Sequence, residues 1–282
     1  MSAKNHVFQA LFNARYDPAT GRVANPLVTL EEVADAIRAL VQEGRIELSD
    51  RNPANFIKDY LRSARRNAIW PAPIREAGYT ARQRTGVGQC FEFFPIPAGQ
   101  EPFPDDFLPT GNEPTFILQT LSLPVTTREI VRVDEQSLAQ IAVKLHLLEH
   151  FLASSPNALG NGIREITHLQ NNVKLRSSEI DALYKAVAHV DGSTRTGAIA
   201  VEVKIGEPII AEQIEKQALA ILADHSFEFC IPVIVKRTRK GEIVLIQLAP
   251  VGREDIDADG RIDIGGVVYG AKYVFAPELP KL

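Results

Sequence analysis

The feature that most constrains this chain is a β-forming run at residues 198–205, which reads Ala-Ile-Ala-Val-Glu-Val-Lys-Ile. Side chains alternate between the two faces of a strand, so Glu202 and Lys204 share one face while the valines beside them share the other. A carboxylate and an ammonium are costly to bury in an apolar strand unless each has a partner. The run therefore predicts an interior sheet strand that carries a charged site.

The elements around this run are indicated by the periodicity of the apolar residues. Helical spacing predicts one helix over 134–153, with Asp134 as its N-cap, and another over 211–223. Runs rich in β-forming residues predict strands at 164–175, 179–190, 229–236 and 242–249, with a turn at 191–197. The order helix, three strands, helix, strand, strand predicts an α/β (α+β) fold with a mixed sheet.

Helical patterns dominate the first hundred residues. Residues 29–43 place apolar side chains at helical spacing, and an Asn-Pro pair at 52–53 begins a second predicted helix that continues to about residue 66. A basic, glycine-bordered loop at 78–88 and an aromatic strand at 90–94 follow. This order predicts a mainly helical, winged-helix-like N-terminal domain. The alternative is a solvated basic helix beside a loop.

Prolines mark a boundary between two domains. Six of them lie between residues 95 and 114, where they interrupt regular structure. The predicted organisation is a basic, mainly helical domain at 1–100, a proline-rich linker at 101–130 and an α/β domain at 131–282.

Charge is distributed unevenly between these parts. The net charge is −4, but residues 1–100 carry 13 Lys and Arg against 10 Asp and Glu, a net of +3, which leaves −7 for the rest. Within residues 51–90, eight basic side chains stand against two acidic ones. A nucleic-acid-binding segment joined to a metal-binding segment would show this asymmetry, and so would a solvated basic helix face.

Length and composition are typical of a globular protein. The 282 residues, 45% apolar and 23% charged, suffice for one large domain or two ordinary ones. No apolar run approaches the roughly 20 residues that span a bilayer, and the N-terminus shows no apolar signal segment. Cys90 and Cys230 make neither a disulfide framework nor a Cys-x-x-Cys metal pair. We expect a cytoplasmic protein with reduced thiols and no membrane partner.

A further acidic residue, Asp181, lies on the strand predicted just before the Glu202-x-Lys204 triplet. With the helix that carries Glu149 and the helix after the triplet, residues 134–249 resemble the PD-(D/E)xK nuclease superfamily, which includes many type II restriction endonucleases. The resemblance implies a restriction-endonuclease-like core and a Mg²⁺-dependent endonuclease that hydrolyses phosphodiester bonds in double-stranded DNA. The basic N-terminal domain would then recognise the DNA, and site-specific restriction is the expected role.

The resemblance also implies a role for each residue. Asp181, Glu202 and the main-chain carbonyl of Val203 would hold Mg²⁺, which prefers hard oxygen ligands, and Mn²⁺ is expected to substitute for it. Lys204 would orient or deprotonate the attacking water and offset charge in the transition state. Glu149 would contact the metal through a water molecule.

The helix after the triplet carries a further part of the pattern. Some members of the superfamily have Gln-x-x-x-Tyr there. Gln213 fits the first position, and Gln217 stands at the tyrosine position, where it would steer a phosphate or a water.

Polar residues in three places are predicted to contact DNA. They are Arg62, Arg65 and Arg66 on the second helix, Arg82, Gln83 and Arg84 on the basic loop, and Asn171, Asn172 and Lys174 on the strand before Asp181. An enzyme that cuts both strands of a palindrome is normally a two-fold homodimer, so a homodimer is expected. The Gly-Val-Gly sequence at 86–88 is too short for a phosphate-binding loop, and no nucleotide cofactor is expected.

Other interpretations remain open. A structure-specific repair or recombination nuclease would use the same site, and a non-catalytic DNA-binding regulator would use the fold alone. The Glu202–Lys204 pair is also compatible with a purely structural role. Finally, the segment from His146 through Glu149 to His150 matches His-x-x-Glu-His, the inverted zinc-peptidase motif, in which the histidines bind Zn²⁺ and the glutamate acts as a base.

Overall fold

The computed structural model describes residues 2–84, 87–104, 107–130, 134–156, 162–175, 178–239 and 241–279. The chain divides into two compact units, Met1–Asp105 and Asp106–Leu282. No helix within the described ranges combines the length and the apolar character needed to cross a membrane.

The N-terminal unit combines helices with a small sheet. Its helices are α1 (Ala3–Asn13), α2 (Leu30–Gln42), α3 (Phe56–Leu61), α4 (Arg66–Ile69) and α5 (Ala72–Glu76), and a 3₁₀ turn spans Pro53–Asn55. Its strands are β1 (Tyr16–Asp17), β2 (Arg22–Val23), β3 (Leu27–Thr29), β4 (Tyr79–Gln83) and β5 (Gln89–Pro95). β1 pairs with β2, while β3, β5 and β4 form an antiparallel sheet in that order. Aromatic rings packed around Phe8 form the core of this unit.

The helix predicted at 29–43 is confirmed as α2. A capping box fixes its start: the Thr29 hydroxyl accepts from the Glu32 N–H at 3.2 Å, and the Glu32 carboxylate accepts from the Thr29 N–H at 2.7 Å. The helix then buries an apolar face that includes Ile37.

The second predicted helix is shorter than the sequence pattern suggests, because α3 ends at Leu61 and α4 begins only at Arg66. Between them the Ser63 hydroxyl accepts a hydrogen bond from the Arg65 N–H at 3.3 Å. Such local bonds compete with the helical ladder. The prediction of one continuous helix is therefore wrong.

The prediction of a basic loop at 78–88 is also wrong in part. Its first half is the strand β4, which pairs antiparallel with β5, so Arg82 and Gln83 lie on a strand. Thr85 and Gly86 lie outside the described residues.

The C-terminal unit is built on a large mixed sheet. Its strands are β6 (Thr115–Gln119), β7 (Ile163–Lys174), β8 (Glu179–Val190), β9 (Ser193–Lys204), β10 (Phe229–Arg239), β11 (Glu242–Leu248), β12 (Val251–Gly252) and β13 (Val267–Ala276). Its helices are α6 (Val125–Ile130), α7 (Glu135–Lys144), α8 (Leu147–Ser154) and α9 (Ala211–Leu222), and a 3₁₀ turn spans Arg253–Asp255. The strand order is β6-β13-β11-β10-β9-β8-β7, with β12 beside β10. The pairs β9–β10 and β13–β6 are parallel, and the other pairs are antiparallel.

Helices cover both faces of this sheet. α7 and α8 pack on one face through side chains that include Leu138 and Phe151, and α9 packs on the other through Ile214 and Ile221. The predicted mixed α/β class is confirmed. The strand predicted at 179–190 coincides with β8. Buried residues alternate with more exposed ones along it, so the local pattern indicates where the strand begins and ends.

The helix predicted over 134–153 is two helices. Asp134 is the N-cap as predicted and accepts from the Ser137 N–H at 2.7 Å, but α7 ends at Lys144. His146 has a left-handed backbone, with a φ of 51°, so the chain turns before α8 begins. The turn lets both helices bury their apolar sides against the same sheet face.

The predicted linker at 101–130 is wrong, because β6 and α6 lie inside it. β6 joins the sheet by pairing parallel with β13. Pro114 stands immediately before β6, and its carbonyl accepts from the Lys272 N–H at 2.8 Å. A proline keeps its acceptor while lacking a donor, so it is compatible with the start of an edge strand.

Candidate active site

Strand pairing places Asp181 beside the Glu-x-Lys triplet. Ala182 of β8 faces Val201 of β9 at the end of their antiparallel ladder. The next residues along the two strands are Asp181 and Glu202, and the Val203 N–H donates to Asp181 Oδ2 at 2.7 Å. The two carboxylates therefore lie on neighbouring strands at the point where the ladder ends.

The Glu202 carboxylate is buried and held by donors on several sides. Its side chain is 2% exposed, and Lys204 Nζ lies 2.6 Å from Oε1. Gln213 Nε2 donates to Oε1 and Gln217 Nε2 donates to Oε2, each at 2.6 Å. The two glutamines are four residues apart on α9, so they share one helix face and hold both oxygens of one carboxylate.

Lys204 connects this carboxylate to a residue that the sequence pattern did not single out. Its ammonium lies 3.4 Å from Glu135 Oε1 and donates to the Val203 carbonyl at 3.2 Å. Glu135 is the first residue of α7, directly after the N-cap Asp134. An acidic residue in the first turn of a helix is stabilised by the helix dipole whether or not it has a functional role. The sequence alone therefore does not mark Glu135 as part of a site.

Burial dominates the electrostatics of the site. It raises the pKa of Glu202 to about 7, although the Lys204 ammonium opposes this and the Asp181 carboxylate adds to it. Burial also raises the pKa of Asp181, against the hydrogen bond from the Val203 N–H and the attraction of Lys204. Burial lowers the pKa of Lys204, but Glu202, Glu135 and Asp181 outweigh it, so the net pKa is raised and the ammonium stays charged.

The oxygens at this site suit a hard divalent cation. Asp181 and Glu202 supply carboxylates, and the carbonyl of Val203, the residue after Glu202 on β9, adds a further oxygen. A nearby cation would favour the charged form of both acids. Among the described residues there is no group of three or more His, Cys, Asp and Glu side chains arranged to hold a metal ion. Mg²⁺ commonly takes one or two carboxylates and completes its shell with water and substrate phosphate, so two carboxylates fit it.

Gln217 is placed differently from the expectation that it steers a phosphate. Its side chain is fully buried, and its Nε2 donates to the Glu179 carbonyl at 2.8 Å as well as to Glu202. Its Oε1 is buried and has no hydrogen-bond partner among the described residues. Gln217 therefore fixes the Glu202 carboxylate through its amide N–H groups, and its amide oxygen is an unused acceptor.

Glu149 does not join this cluster, which corrects its expected placement. Its Oε1 lies 3.3 Å from Nδ1 of His146, the residue before α8. It lines a cavity of about 190 Å³ between α8 and β7, together with Ile163, Arg164 and Ile166 among others. The break between α7 and α8 turns Glu149 toward β7, and Glu135 takes the place beside Lys204.

The histidines of the zinc-peptidase motif do not converge on one point. His146 precedes α8 with a left-handed backbone and a side chain that is 79% exposed. His150 Nδ1 is 2.8 Å from the Tyr273 hydroxyl, and its ring packs edge-on against Phe116. The His150 N–H still donates to the His146 carbonyl at 3.1 Å, but His146 stands outside the helix with a left-handed backbone, and His150 is already bonded to Tyr273. This arrangement counts against the zinc interpretation.

The polar residues predicted on β7 flank Asp181 across the sheet. Asn171 pairs with Ala182, and Lys174 pairs with Glu179. Asn172 lies between them with a φ of 54°. The Asn171 amide oxygen lies 2.9 Å from His168 Nε2. β7 therefore places polar residues on the strand next to Asp181.

The residues of the N-terminal unit that are predicted to contact DNA differ in the exposure of their side chains. Arg62 and Arg65 are exposed after α3, whereas Arg66 is 6% exposed. Gln83 is also 6% exposed, because strand alternation turns it toward the core. Neither Arg66 nor Gln83 presents its side chain for base or phosphate contact, so both assignments are corrected.

Arg82 and Arg84 share an acidic partner. Both lie close to Glu92 Oε1 of β5, at 2.5 Å and 2.6 Å. The Arg82 guanidinium also lies over the Phe94 ring, 5.0 Å from its centre. These two arginines are anchored on the β4–β5 hairpin by a carboxylate that partly cancels their charge.

Any assignment of a function to this protein depends on the chemistry of this site, because comparisons with known proteins give no match. No family model matches the chain, and neither a curated protein nor a solved structure matches it.

Proposed function

We propose that this protein is a Mg²⁺-dependent DNA endonuclease of the PD-(D/E)xK type, with site-specific cleavage of double-stranded DNA as its role. The observation that carries the proposal is the buried Glu202–Lys204 pair beside Asp181 at the end of the β8–β9 ladder. A purely structural ion pair explains Glu202 and Lys204 but gives no reason for a further, half-buried carboxylate next to them.

The arrangement of elements supports the same proposal. The strands β7 to β11 follow one another across the sheet in chain order, with α9 crossing over between β9 and β10. This is the order on which the resemblance rests. In the N-terminal unit, helices combined with a three-stranded antiparallel sheet support a winged-helix-like DNA-recognition module.

Each residue of the site has a proposed task. Asp181, Glu202 and the Val203 carbonyl would hold Mg²⁺, which when bound neutralises phosphate charge and makes a coordinated water more acidic. Lys204 orients the attacking water and offsets negative charge that develops on the phosphate. Gln213 and Gln217 fix Glu202, and Glu135 restrains the Lys204 ammonium.

The experiment is digestion of a sequenced plasmid in Mg²⁺, in Mn²⁺ and in EDTA, with mapping of the product ends. The tested variants are Asp181→Asn and Glu202→Gln. Glu242→Gln is the matched control, because Glu242 is 7% exposed in the same sheet and hydrogen-bonded to Thr238 at 2.7 Å. We expect cleavage by the wild type and the control, and none by the site variants.

The product ends distinguish the related interpretations. Discrete ends support restriction, whereas an uncut plasmid together with cleavage of a branched or gapped duplex points to a structure-specific repair or recombination nuclease. DNA binding with no cleavage in either metal ion overturns the proposal and favours a non-catalytic regulator.

A further inference from the structure

The two edges of the large sheet differ in how they are protected. β7 carries Arg164, Glu165 and Lys174, has two register irregularities in its pairing with β8, and bends at the left-handed Asn172. Charges and bulges of this kind keep an edge strand from pairing with another chain. β6, which reads Thr-Phe-Ile-Leu-Gln, has no charge and pairs with β13 in unbroken register.

The β6 edge is also apolar and exposed. Ile117, at its centre, is 75% exposed, and Leu121 and Val125 directly after the strand are 73% and 56% exposed. Residues 115–127 contain no charged side chain. Large apolar side chains gathered at one place on a surface mark an interaction site more often than isolated ones do.

The hydrogen bonds to β13 show which main-chain groups of β6 point outward. The Pro114 carbonyl and the Thr120 N–H bond to β13. Alternate residues of a strand direct their N–H and C=O groups to the same side, so Thr115, Ile117 and Gln119 direct theirs away from β13. No other strand within the described residues pairs with this side of β6.

We propose that the β6 edge is a homodimer interface, in which β6 pairs antiparallel with β6 of a second copy and Ile117 lies on the two-fold axis. In this register Thr115 of one copy faces Gln119 of the other. Each facing pair exchanges two main-chain hydrogen bonds, as in a closely spaced antiparallel pair. The exposed Ile117, Leu121 and Val125 would then contribute apolar area to the interface.

Charge and symmetry favour a second copy as the occupant. The uncharged stretch 115–127 brings no like charges together across the axis, and the nearest acid, Glu113, already lies 3.5 Å from Lys272 Nζ. A two-fold contact joins the same edge of both copies and closes. The charges and register irregularities of β7 disfavour further strand addition at the other edge of the same sheet. The inference does not depend on nuclease activity.

The test uses the full chain and measures mass in solution by light scattering after size-exclusion chromatography. The wild type is expected to be a dimer, and Ile117→Lys a monomer with an unchanged circular dichroism spectrum. A pair of double variants tests the register. Thr115→Lys with Gln119→Lys places like charges opposite each other and is expected to be monomeric, whereas Thr115→Lys with Gln119→Glu places opposite charges there and is expected to be dimeric.

Cysteine cross-linking provides a second measurement. Ile117→Cys is expected to form an intermolecular disulfide on mild oxidation, because directly facing Cα atoms in such a pair lie about 5.5 Å apart. Leu169→Cys is the matched control, since Leu169 is an exposed leucine on the β7 edge, and the native Cys90 and Cys230 are buried. A monomeric wild type overturns the proposal. So does a dimer that persists in both Ile117→Lys and the like-charge double variant.

Discussion

Glu202 and Lys204 form an ion pair of 2.6 Å inside the sheet, with side chains that are only 2% and 8% exposed. They are two residues apart on β9, so one face of a single strand carries both charges. A buried ion pair is rarely worth more to stability than apolar residues of the same volume, because both ions lose their hydration. Stability alone therefore gives little reason for this pair, and its position beside Asp181 gives a chemical one.

Removing the ammonium should cost more stability than neutralising the carboxylate. Lys204→Met leaves Glu202 buried with amide donors only, and we expect a loss of about 3–5 kcal/mol in the free energy of unfolding. Glu202→Gln should cost less, because Glu135 still partners Lys204 and the unused Gln217 Oε1 can accept from the new amide. Urea unfolding of both variants at neutral pH measures the difference. Equal losses, or a larger loss for Glu202→Gln, contradict this account.

Glu135 and Glu149 provide a paired test of the site's composition. Glu135→Gln weakens the restraint on the Lys204 ammonium, and we expect cleavage to fall by about 10–100-fold, as for other residues that orient a catalytic group. Mg²⁺ affinity measured by calorimetry should change little, because Glu135 contacts Lys204 and neither carboxylate. Glu149→Gln is the control and should retain wild-type cleavage. If the Glu149 variant loses activity and the Glu135 variant keeps it, Glu149 is the residue that serves the site.

The order of elements in the C-terminal unit was predictable because strand alternation and helical spacing are local properties. β8 and α9 match their predicted ranges within a residue or two. The break at His146 was not predictable, because Ile141, Leu145, Leu148 and Leu152 continue one apolar stripe at helical spacing across it. Only packing on the sheet separates the helices. Glu149 was favoured for that reason, whereas Glu135 was missed because the helix dipole already explains an acid in the first turn of a helix.

The linker prediction failed for a related reason. Prolines indicate where a strand cannot continue, but they do not exclude a short strand between them. β6 contains no proline, and its paired residues on β13 lie 157 positions further along the chain, as in the pair Thr115 and Lys272. A pairing of that range leaves no signal in the local sequence. The burial of Arg66 and Gln83 likewise depends on strand register and core packing, which charge counting does not register.

Arg62 and Arg65 are exposed members of the predicted DNA-contacting set on the α3 side of the N-terminal unit, so they should contribute to non-specific binding. Changing either to Ala should weaken binding to all duplexes alike and reduce the slope of log affinity against log salt by about 0.9 for each phosphate that the variant no longer neutralises. Arg45→Ala is the control, an exposed arginine outside the predicted set that is paired with Glu43. Anisotropy titrations at several salt concentrations measure both quantities. Unchanged slopes in both variants would mean that these arginines are a solvated surface.

The stability of the N-terminal unit should depend on pH through Glu92. Burial raises the pKa of Glu92, but hydrogen bonds from Arg84 and Arg82 outweigh it, so the net pKa lies below its ordinary value of 4.5. A carboxyl group whose pKa is lower in the folded state than in the unfolded state stabilises the fold when the pH is above its pKa in the unfolded state. This contribution is lost as the pH falls through its pKa in the folded state. The difference in unfolding free energy between wild type and Glu92→Gln should therefore be largest near neutral pH and shrink below about pH 4. A difference that grows on acidification contradicts the assignment.

Glu92 should also limit DNA binding by the hairpin that carries Arg82 and Arg84. Its carboxylate lies within 2.6 Å of both guanidinium groups, so a phosphate must compete with it for them. Glu92→Gln removes that competition, and we expect tighter non-specific binding, with a salt slope steeper by about 0.9 for each additional phosphate neutralised. Asp59→Asn is the matched control, because it also removes one negative charge from an ion pair in the same unit, that with Lys4 at 3.2 Å. Equal increases in affinity for the two variants would mean that the effect comes only from the change in net charge. An increase confined to Glu92→Gln would identify Arg82 and Arg84 as DNA-binding residues that this carboxylate restrains.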